Sequence, residues 1–270
     1  MPYTLSNGHV LPEIGLGTFR IPDGSAVTES VSIAIENGYR NIDTATLYDN
    51  ETGIGNALKS TNLPREQFTV TTKVWNTDQG FDSTLVAFEQ SKRKLRLDYV
   101  DLYLVHWPIK AKLRDTWRAL ESLYSDGQVK AIGVSNFSVE HLKMLMDFAS
   151  IMPVVNQIEF HPRLQSPELV QFCKVNDILV QAWAPLMRGQ CDRLPTLNRI
   201  ALNHRTSPEA VCLAWIKSQR IMPLPKSSHS KRIRRNIQAC DLTLSHAEIN
   251  AIRKIDSDHR LGPPLNHFWL

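Results

Sequence analysis

The chain has 270 residues, of which 42% are hydrophobic and 21% are charged, the composition of an ordinary globular protein. Its net charge of +4 is mild, and no long basic run with interleaved aromatic residues predicts a nucleic-acid surface. No apolar stretch approaches the ~20 residues that span a bilayer, and residues 1–8 lack a signal-peptide pattern, so we expect a cytoplasmic protein without a membrane segment.

The four cysteines are scattered and form no CxxC pair. They are Cys173, Cys191, Cys212 and Cys240. This spacing predicts neither a disulfide framework nor a zinc site, and we expect no metal.

Residues 3–14 are predicted to form a β-hairpin, because the dipeptide Asn7-Gly8 tolerates the positive φ angles of a tight turn. Eight nearly continuous apolar runs follow, alternating with helical segments, which is typical of parallel strands covered on both faces. The predicted strands are 16–19, 41–45, 68–74, 100–107, 129–136, 154–160, 179–186 and 222–226.

Helix starts support this division. Ser166 and Ser207 each precede a proline, so a capping hydroxyl is predicted before a proline at the first helical position. Ser245 and Glu248 predict a capping box at the start of a last helix outside the eightfold count. Eight β/α alternations at this length predict an α/β fold, a (β/α)8 TIM barrel, as a single domain over residues 1–270.

Four polar residues fall at the C-terminal ends of successive predicted strands. Asp43 and Tyr48 lie five residues apart around the end of the second strand, and Lys73 and His106 lie at the ends of the third and fourth. In a barrel of parallel strands these ends meet at one mouth, where such enzymes place their chemistry. Each residue alone is more often structural, but their joint occurrence favours a catalytic site.

The four residue types suit protonation of a substrate oxygen. A phenol has a pKa near ~10, and a neighbouring ammonium such as Lys73 is expected to lower it. Asp43 would hold Lys73 by an ion pair, and His106 would orient a carbonyl. Carbonyl reduction also needs a hydride donor, and no side chain provides one, so a nicotinamide cofactor is implied.

The run Gly38-Tyr39-Arg40-Asn41-Ile42-Asp43-Thr44-Ala45-Thr46-Leu47-Tyr48-Asp49-Asn50-Glu51, with Lys73 and His106, resembles the aldo-keto reductase family, and the likeness extends from residue 15 to about 262. The resemblance implies that Tyr48 is the general acid, that Lys73 paired with Asp43 tunes it, and that His106 orients the carbonyl. Ser135, Asn136 and Gln157 match the family's carboxamide contacts, and Trp183 matches the aromatic residue that stacks on nicotinamide.

The resemblance also implies the rest of the cofactor site. Lys226 and Arg232 match positions that hold a 2′-phosphate, which favours NADPH over NADH; a guanidinium grips phosphate in a bidentate fork. The other implied cofactor-binding residues are Thr18, Phe19, Asp43, Leu186, Ser227 and Asn236. Arg235 and Ala184 depart from the family pattern, and Arg235 affects the expected adenine contacts.

The implied substrate pocket is aromatic and is lined by Phe19, Trp75, His106 and Trp107, whereas Phe268 in the tail could be a pocket residue or only packing. The short loops resemble those of compact microbial reductases acting on small aldehydes, methylglyoxal and keto-sugars such as 2,5-diketo-D-gluconate. The family likeness favours a monomer.

Two other functions stay open at this point. One is a Schiff-base aldolase with Lys73 as nucleophile, which the expected pairing with Asp43 disfavours because an aldolase needs a neutral lysine. The other is a nucleotide-binding redox sensor or regulatory barrel that keeps the fold but turns over little.

Overall fold

The computed structural model describes residues 2–269, and a parallel sheet of eight strands forms its centre. All eight predicted strands are present, and most end one to three residues earlier than predicted because the chain leaves the sheet to enter the loops at the mouth. Strands β1 and β2 form the hairpin and β3 to β10 form the sheet: β1 Tyr3–Thr4, β2 Val10–Leu11, β3 Leu16–Gly17, β4 Asn41–Asp43, β5 Thr69–Val74, β6 Val100–Val105, β7 Val129–Ser135, β8 Val155–Glu159, β9 Leu179–Trp183 and β10 Met222–Pro223.

The sheet closes on itself as a barrel. Strands β3 to β10 pair in chain order, each parallel to the next. The ends meet where Gly17 forms a parallel bridge with Lys226 and donates its backbone N–H to the Pro225 carbonyl at 3.1 Å. A Cβ atom at Gly17 would lie 3.0 Å from the Leu224 carbonyl oxygen, so glycine allows this close approach.

The predicted N-terminal hairpin is confirmed and covers the bottom of the barrel. Gly8 has φ 85° in the turn, and the Leu5 N–H donates to the His9 carbonyl at 2.9 Å. Leu5 and Leu11 are buried in one apolar cluster with Leu102 of β6 and other side chains of the barrel interior. The hairpin therefore seals the end opposite the mouth.

In the described part of the chain, ten α-helices surround the barrel, and the larger apolar core lies between them and the strands. They are α1 Ser25–Glu36, α2 Glu51–Ser60, α3 Phe81–Leu95, α4 Leu113–Ser125, α5 Val139–Met146, α6 Pro167–Val175, α7 Pro195–Asn203, α8 Pro208–Ser218, α9 Ser230–Gln238 and α10 His246–Arg253. Within residues 2–269, no helix combines the length and apolarity needed to cross a bilayer.

Two of the three predicted helix caps are confirmed. The Ser207 hydroxyl accepts the Ala210 N–H at 3.2 Å, and Ser245 and Glu248 form the capping box that begins α10. The cap at Ser166 is wrong. This residue has φ 42°, and its side chain makes no capping hydrogen bond, because the left-handed backbone differs from the extended conformation in which a hydroxyl reaches the first helical N–H groups.

Candidate active site

A buried ion pair lies at the centre of the mouth. Lys73 Nζ donates to Asp43 Oδ1 and to the Thr44 carbonyl, both at 2.8 Å, and the Lys73 side chain is fully buried. The amide of Gln157 donates to the other Asp43 oxygen, Oδ2, at 2.7 Å. Burial lowers the pKa of Lys73, while the charge and hydrogen bond of Asp43 act in the opposite direction. Both carboxylate oxygens are therefore occupied, which fixes the position of the ammonium.

A second amide supports Gln157 from below. Gln157 Nε2 also donates to Gln181 Oε1 at 3.0 Å, and Gln181 Nε2 contacts Met222 Sδ at 3.5 Å. The sequence reasoning missed Gln181. Because side chains alternate along a strand, its place two residues before Trp183 on β9 was the available signal.

Tyr48 lies in a short turn that is attached to β5 at two points. The turn, a single turn of 3₁₀-helix, begins at Thr46, whose hydroxyl donates to the Lys73 carbonyl at 2.9 Å. Beyond the turn, the Thr72 hydroxyl donates to Glu51 Oε1 at 2.7 Å. Lys73 Nζ lies 5.0 Å from the centre of the Tyr48 ring. The strand that carries Lys73 thus also fixes the segment that carries the phenol.

The expectation that Lys73 lowers the pKa of Tyr48 is wrong for this structure. Burial raises the pKa of the phenol well above 10, and the negative charge of Asp43 raises it further. Burial is the larger cause, and Asp43, 2.8 Å from the ammonium, opposes the effect of Lys73 on the phenol. Tyr48 is therefore protonated at neutral pH, which is the form that a general acid needs.

His106 follows β6 and is neutral. Burial, followed by the positive charge of Lys73, holds its pKa well below 6.5. Its ring centre lies 5.7 Å from that of Tyr48 and 5.1 Å from that of Trp75. Among the described residues its Nδ1 has no hydrogen-bond partner, so we assign the proton to Nε2, because an orphaned buried N–H is rarer than an orphaned acceptor. A neutral imidazole of this tautomer can donate a hydrogen bond to a carbonyl.

The three aromatic residues predicted for the pocket gather here. Phe19 is 45% exposed and packs on Tyr48 at a ring-centre distance of 5.0 Å. Trp75 and Trp107 meet Phe268 of the C-terminal tail at 6.0 Å and 5.2 Å. The tail thus completes an apolar wall around the phenol and imidazole.

The residues predicted for the nicotinamide end lie side by side, on or directly after β7, β8 and β9. Asn136 donates to the His106 carbonyl at 3.0 Å, and its Oδ1 accepts the indole N–H of Trp183 at 2.8 Å. The Ser135 hydroxyl donates to the Gln157 carbonyl at 2.9 Å. Asn136 therefore connects the backbone of the histidine to the aromatic residue expected to stack.

Loops after β3 and β9 hold three more of the predicted cofactor residues. Thr18 is buried, and its hydroxyl donates to the Asp43 carbonyl at 2.9 Å. Phe19 follows at the rim. Leu186 is half-buried, and its carbonyl accepts the Gly189 N–H at 2.8 Å.

The predicted phosphate-binding residues lie where β10 leads into α9. Lys226 is exposed, and its pKa is lowered by partial burial and then by the charge of Arg20. Ser227 is buried and accepts the His229 N–H at 3.1 Å. An open depression beside them is lined by His229, Ser230, Lys231, Arg232 and Arg235. Asn236 is buried on α9. This basic end suits a phosphate group, and Arg235 belongs to it.

Residues 13–257 match the family sequence model described as "Aldo/keto reductase family". The chain belongs to the aldo/keto reductase family. This reductase is 49% identical over 259 residues to glyoxal reductase of Bacillus subtilis (strain 168), covering 96% of this chain and 94% of that protein.

Solved structures agree with the barrel. The aldo-keto reductase MGS-M4, from a Medee basin deep-sea metagenome library, superposes with a TM-score of 0.96 at 42% identity and 98% coverage of both chains. A Gox0644 mutant in complex with NADPH superposes with a TM-score of 0.94 at 38% identity, covering 99% of this chain and 98% of that one. Within residues 2–269, no group of three or more His, Cys, Asp or Glu side chains is placed to hold a metal ion.

Proposed function

We propose that this aldo/keto reductase uses NADPH to reduce aldehyde and ketone carbonyls, with Tyr48 as the general acid. The observation that carries the proposal is the placement of a protonated phenol and a neutral imidazole around the Asp43–Lys73 pair. A carbonyl oxygen in this position would gain a proton on one side and a hydrogen bond on the other as negative charge develops on it.

The residues fit a nicotinamide nucleotide. Gln157 donates its amide nitrogen to Asp43 and Gln181, which leaves its Oε1 to accept from a carboxamide. Lys226, Ser227 and Arg232 supply charge and hydrogen bonds for a 2′-phosphate. When bound, NADPH supplies the hydride; the side chains named here bind it and orient the substrate.

Proton transfer would proceed from Tyr48 Oη to the substrate oxygen while His106 Nε2–H holds that oxygen in place. The phenolate left behind would be stabilised by Lys73, whose position Asp43 fixes. The wall of Phe19, Trp75, Trp107 and Phe268 would exclude water from the reacting carbonyl. The same geometry disfavours a Schiff-base aldolase, because Lys73 is engaged by Asp43 and the Thr44 carbonyl.

Small aldehydes and α-dicarbonyls are the substrates we propose first, because the relative named above is a glyoxal reductase, and keto-sugars such as 2,5-diketo-D-gluconate come next. We also propose that residues 1–270 act as one catalytic domain, as a monomer in the cytoplasm. The alternative is a nucleotide-binding sensor with little turnover.

The test is the loss of NADPH absorbance with glyoxal, methylglyoxal, an aromatic aldehyde and 2,5-diketo-D-gluconate, run in parallel with NADH. Turnover with NADPH that Tyr48→Phe abolishes while NADPH binding persists would support the proposal. Tight NADPH binding without turnover on the whole panel would favour the sensor. Undiminished turnover by Tyr48→Phe would overturn the assigned acid.

A further inference from the structure

Two buried thiols lie behind the loop that follows β9. Cys191 is in a short turn within residues 184–193, and Cys212 is in the middle of α8; both are fully buried. The two thiols are neighbours, because they donate to the consecutive carbonyls of Pro185 and Leu186, and burial followed by the Cys191 thiol raises the pKa of Cys212 well above its ordinary value. The pair is 21 residues apart in sequence, so no local motif predicted it.

Both thiols hold the backbone of the 184–193 loop. Cys212 Sγ donates to the Pro185 carbonyl at 3.1 Å, and Cys191 Sγ donates to the Leu186 carbonyl at 3.5 Å. The Leu186 carbonyl also accepts the Gly189 N–H. The Pro185 carbonyl has Cys212 as its donor among the described residues. The loop begins directly after Trp183, the proposed stacking residue.

The backbone of this loop is strained. Ala184, Met187 and Arg188 have φ values of 49°, 50° and 54°, in the left-handed region that non-glycine residues rarely adopt. Such conformations cost free energy and persist only when surrounding contacts hold them. The two sulfur hydrogen bonds are among those contacts, so their loss would favour a different loop conformation.

We propose that Cys191 and Cys212 form an oxidisable dithiol, and that its conversion to a disulfide loosens the 184–193 loop and weakens NADPH binding. The oxidant is a peroxide. One sulfur attacks the peroxide, so that an S–O bond forms, the O–O bond breaks and water leaves with the thiol proton. The second sulfur displaces the oxygen, so that the S–S bond forms and the S–O bond breaks, and the released hydroxide takes the second thiol proton as water. Two electrons pass from the thiols to the peroxide.

The disulfide has no S–H group, so it cannot donate to either carbonyl. The Pro185 carbonyl then lacks its hydrogen-bond donor beside a strained segment. The proposed cofactor contacts at Trp183 and Leu186 lose the support of the loop conformation. We expect the loss of this hydrogen bond to weaken the affinity for NADPH about tenfold.

Burial and the raised pKa also determine when oxidation occurs. The closed loop keeps both sulfurs buried, and the raised pKa of Cys212 keeps that group a thiol, which is a poorer nucleophile than its thiolate. Oxidation then requires the loop to open, and bound NADPH should oppose opening. By linkage, NADPH must disfavour the disulfide by the same factor by which the disulfide weakens NADPH binding.

The first experiment treats the reduced protein with hydrogen peroxide, blocks remaining thiols in denaturant, and maps disulfides by peptide mass spectrometry. The expected result is a fall from four free thiols to two, with a Cys191–Cys212 linked peptide. Four free thiols after treatment, or a disulfide that involves Cys173 or Cys240, would overturn the proposal.

The second experiment measures the Kd for NADPH by fluorescence quenching in the reduced and oxidised protein. We expect oxidation to raise this Kd about tenfold. In a glutathione buffer, saturating NADPH should raise the reduction potential of the dithiol by about 30 mV, because NADPH binds the reduced form more tightly. An unchanged Kd in the disulfide form would overturn the loop-release step. This part rests on the proposed NADPH dependence; if the reduced protein binds no NADPH, the proposed function fails, while the thiol mapping still tests the dithiol.

Variants separate the pair from other thiols. Cys191→Ser keeps a hydroxyl that can donate to the Leu186 carbonyl, and its Kd for NADPH should not change on peroxide treatment. Cys173→Ser is the matched control, because Cys173 is equally buried but lies away from the loop, and it should keep the peroxide response. A peroxide response that persists in Cys191→Ser would overturn the assignment.

Discussion

Gln157 donates its side-chain amide to Asp43 Oδ2 at 2.7 Å, while the opposite oxygen of the same carboxylate accepts from Lys73 at 2.8 Å. A residue proposed to bind the cofactor amide is therefore bonded directly to the ion pair beside Tyr48. Occupancy of the nicotinamide site and the position of the ammonium are linked through a single carboxylate.

Replacement of Gln157 should affect both binding and chemistry. In Gln157→Leu, Asp43 loses a charge-assisted hydrogen bond, and we expect kcat to fall roughly 10- to 100-fold together with weaker NADPH binding. Single-turnover rates and fluorescence quenching measure the two effects. Gln181→Leu, which removes only the hydrogen bond between Gln157 and Gln181, should have a smaller effect. Equal losses in the two variants would contradict the direct role of Gln157.

Removal of Lys73 should destabilise the fold as well as abolish turnover. Lys73→Met leaves the Asp43 carboxylate buried with its ammonium gone, which typically costs about 3–5 kcal/mol. The double variant Asp43→Leu/Lys73→Met should recover most of that free energy of unfolding in urea but no activity. If the double variant is as unstable as the single one, the stability of this site does not depend on charge pairing.

The raised pKa of Tyr48 predicts opposite pH dependences for the two reaction directions. Reduction needs the protonated phenol, which persists from about pH 6 to 9, so kcat for reduction should be nearly flat there. Alcohol oxidation needs the phenolate, so its kcat should rise as the pH becomes alkaline. His106, with its pKa held well below 6.5, should add no fall in reduction near that pH. A loss of reduction centred near pH 7 that His106→Gln removes would contradict these assignments.

The C-terminal tail should contribute to substrate affinity. Phe268 contacts Trp75 and Trp107, and Trp269 lies 4.2 Å from the His141 ring, which fixes the tail on α5. Phe268→Ala should raise KM for an aromatic aldehyde several-fold, because removal of a packed aromatic ring forfeits apolar burial, and should change KM for glyoxal less. NADPH binding should be unchanged; a loss of NADPH affinity would show that the tail acts on the cofactor site instead.

The amino-acid sequence by itself determined the barrel, its hairpin and the strand ends at which Asp43, Tyr48, Lys73 and His106 lie. Apolar runs and the polar residues that end them are local signals, and strand alternation fixes where they point. The sequence could not determine the pKa of Tyr48, because that depends on burial and on the distance between Asp43 and Lys73, which are 30 residues apart. The Gln157–Asp43 bond, the Phe268 wall and the Cys191–Cys212 contact likewise join distant parts of the chain, and only closure of the barrel and packing of the tail and helices around it bring them together.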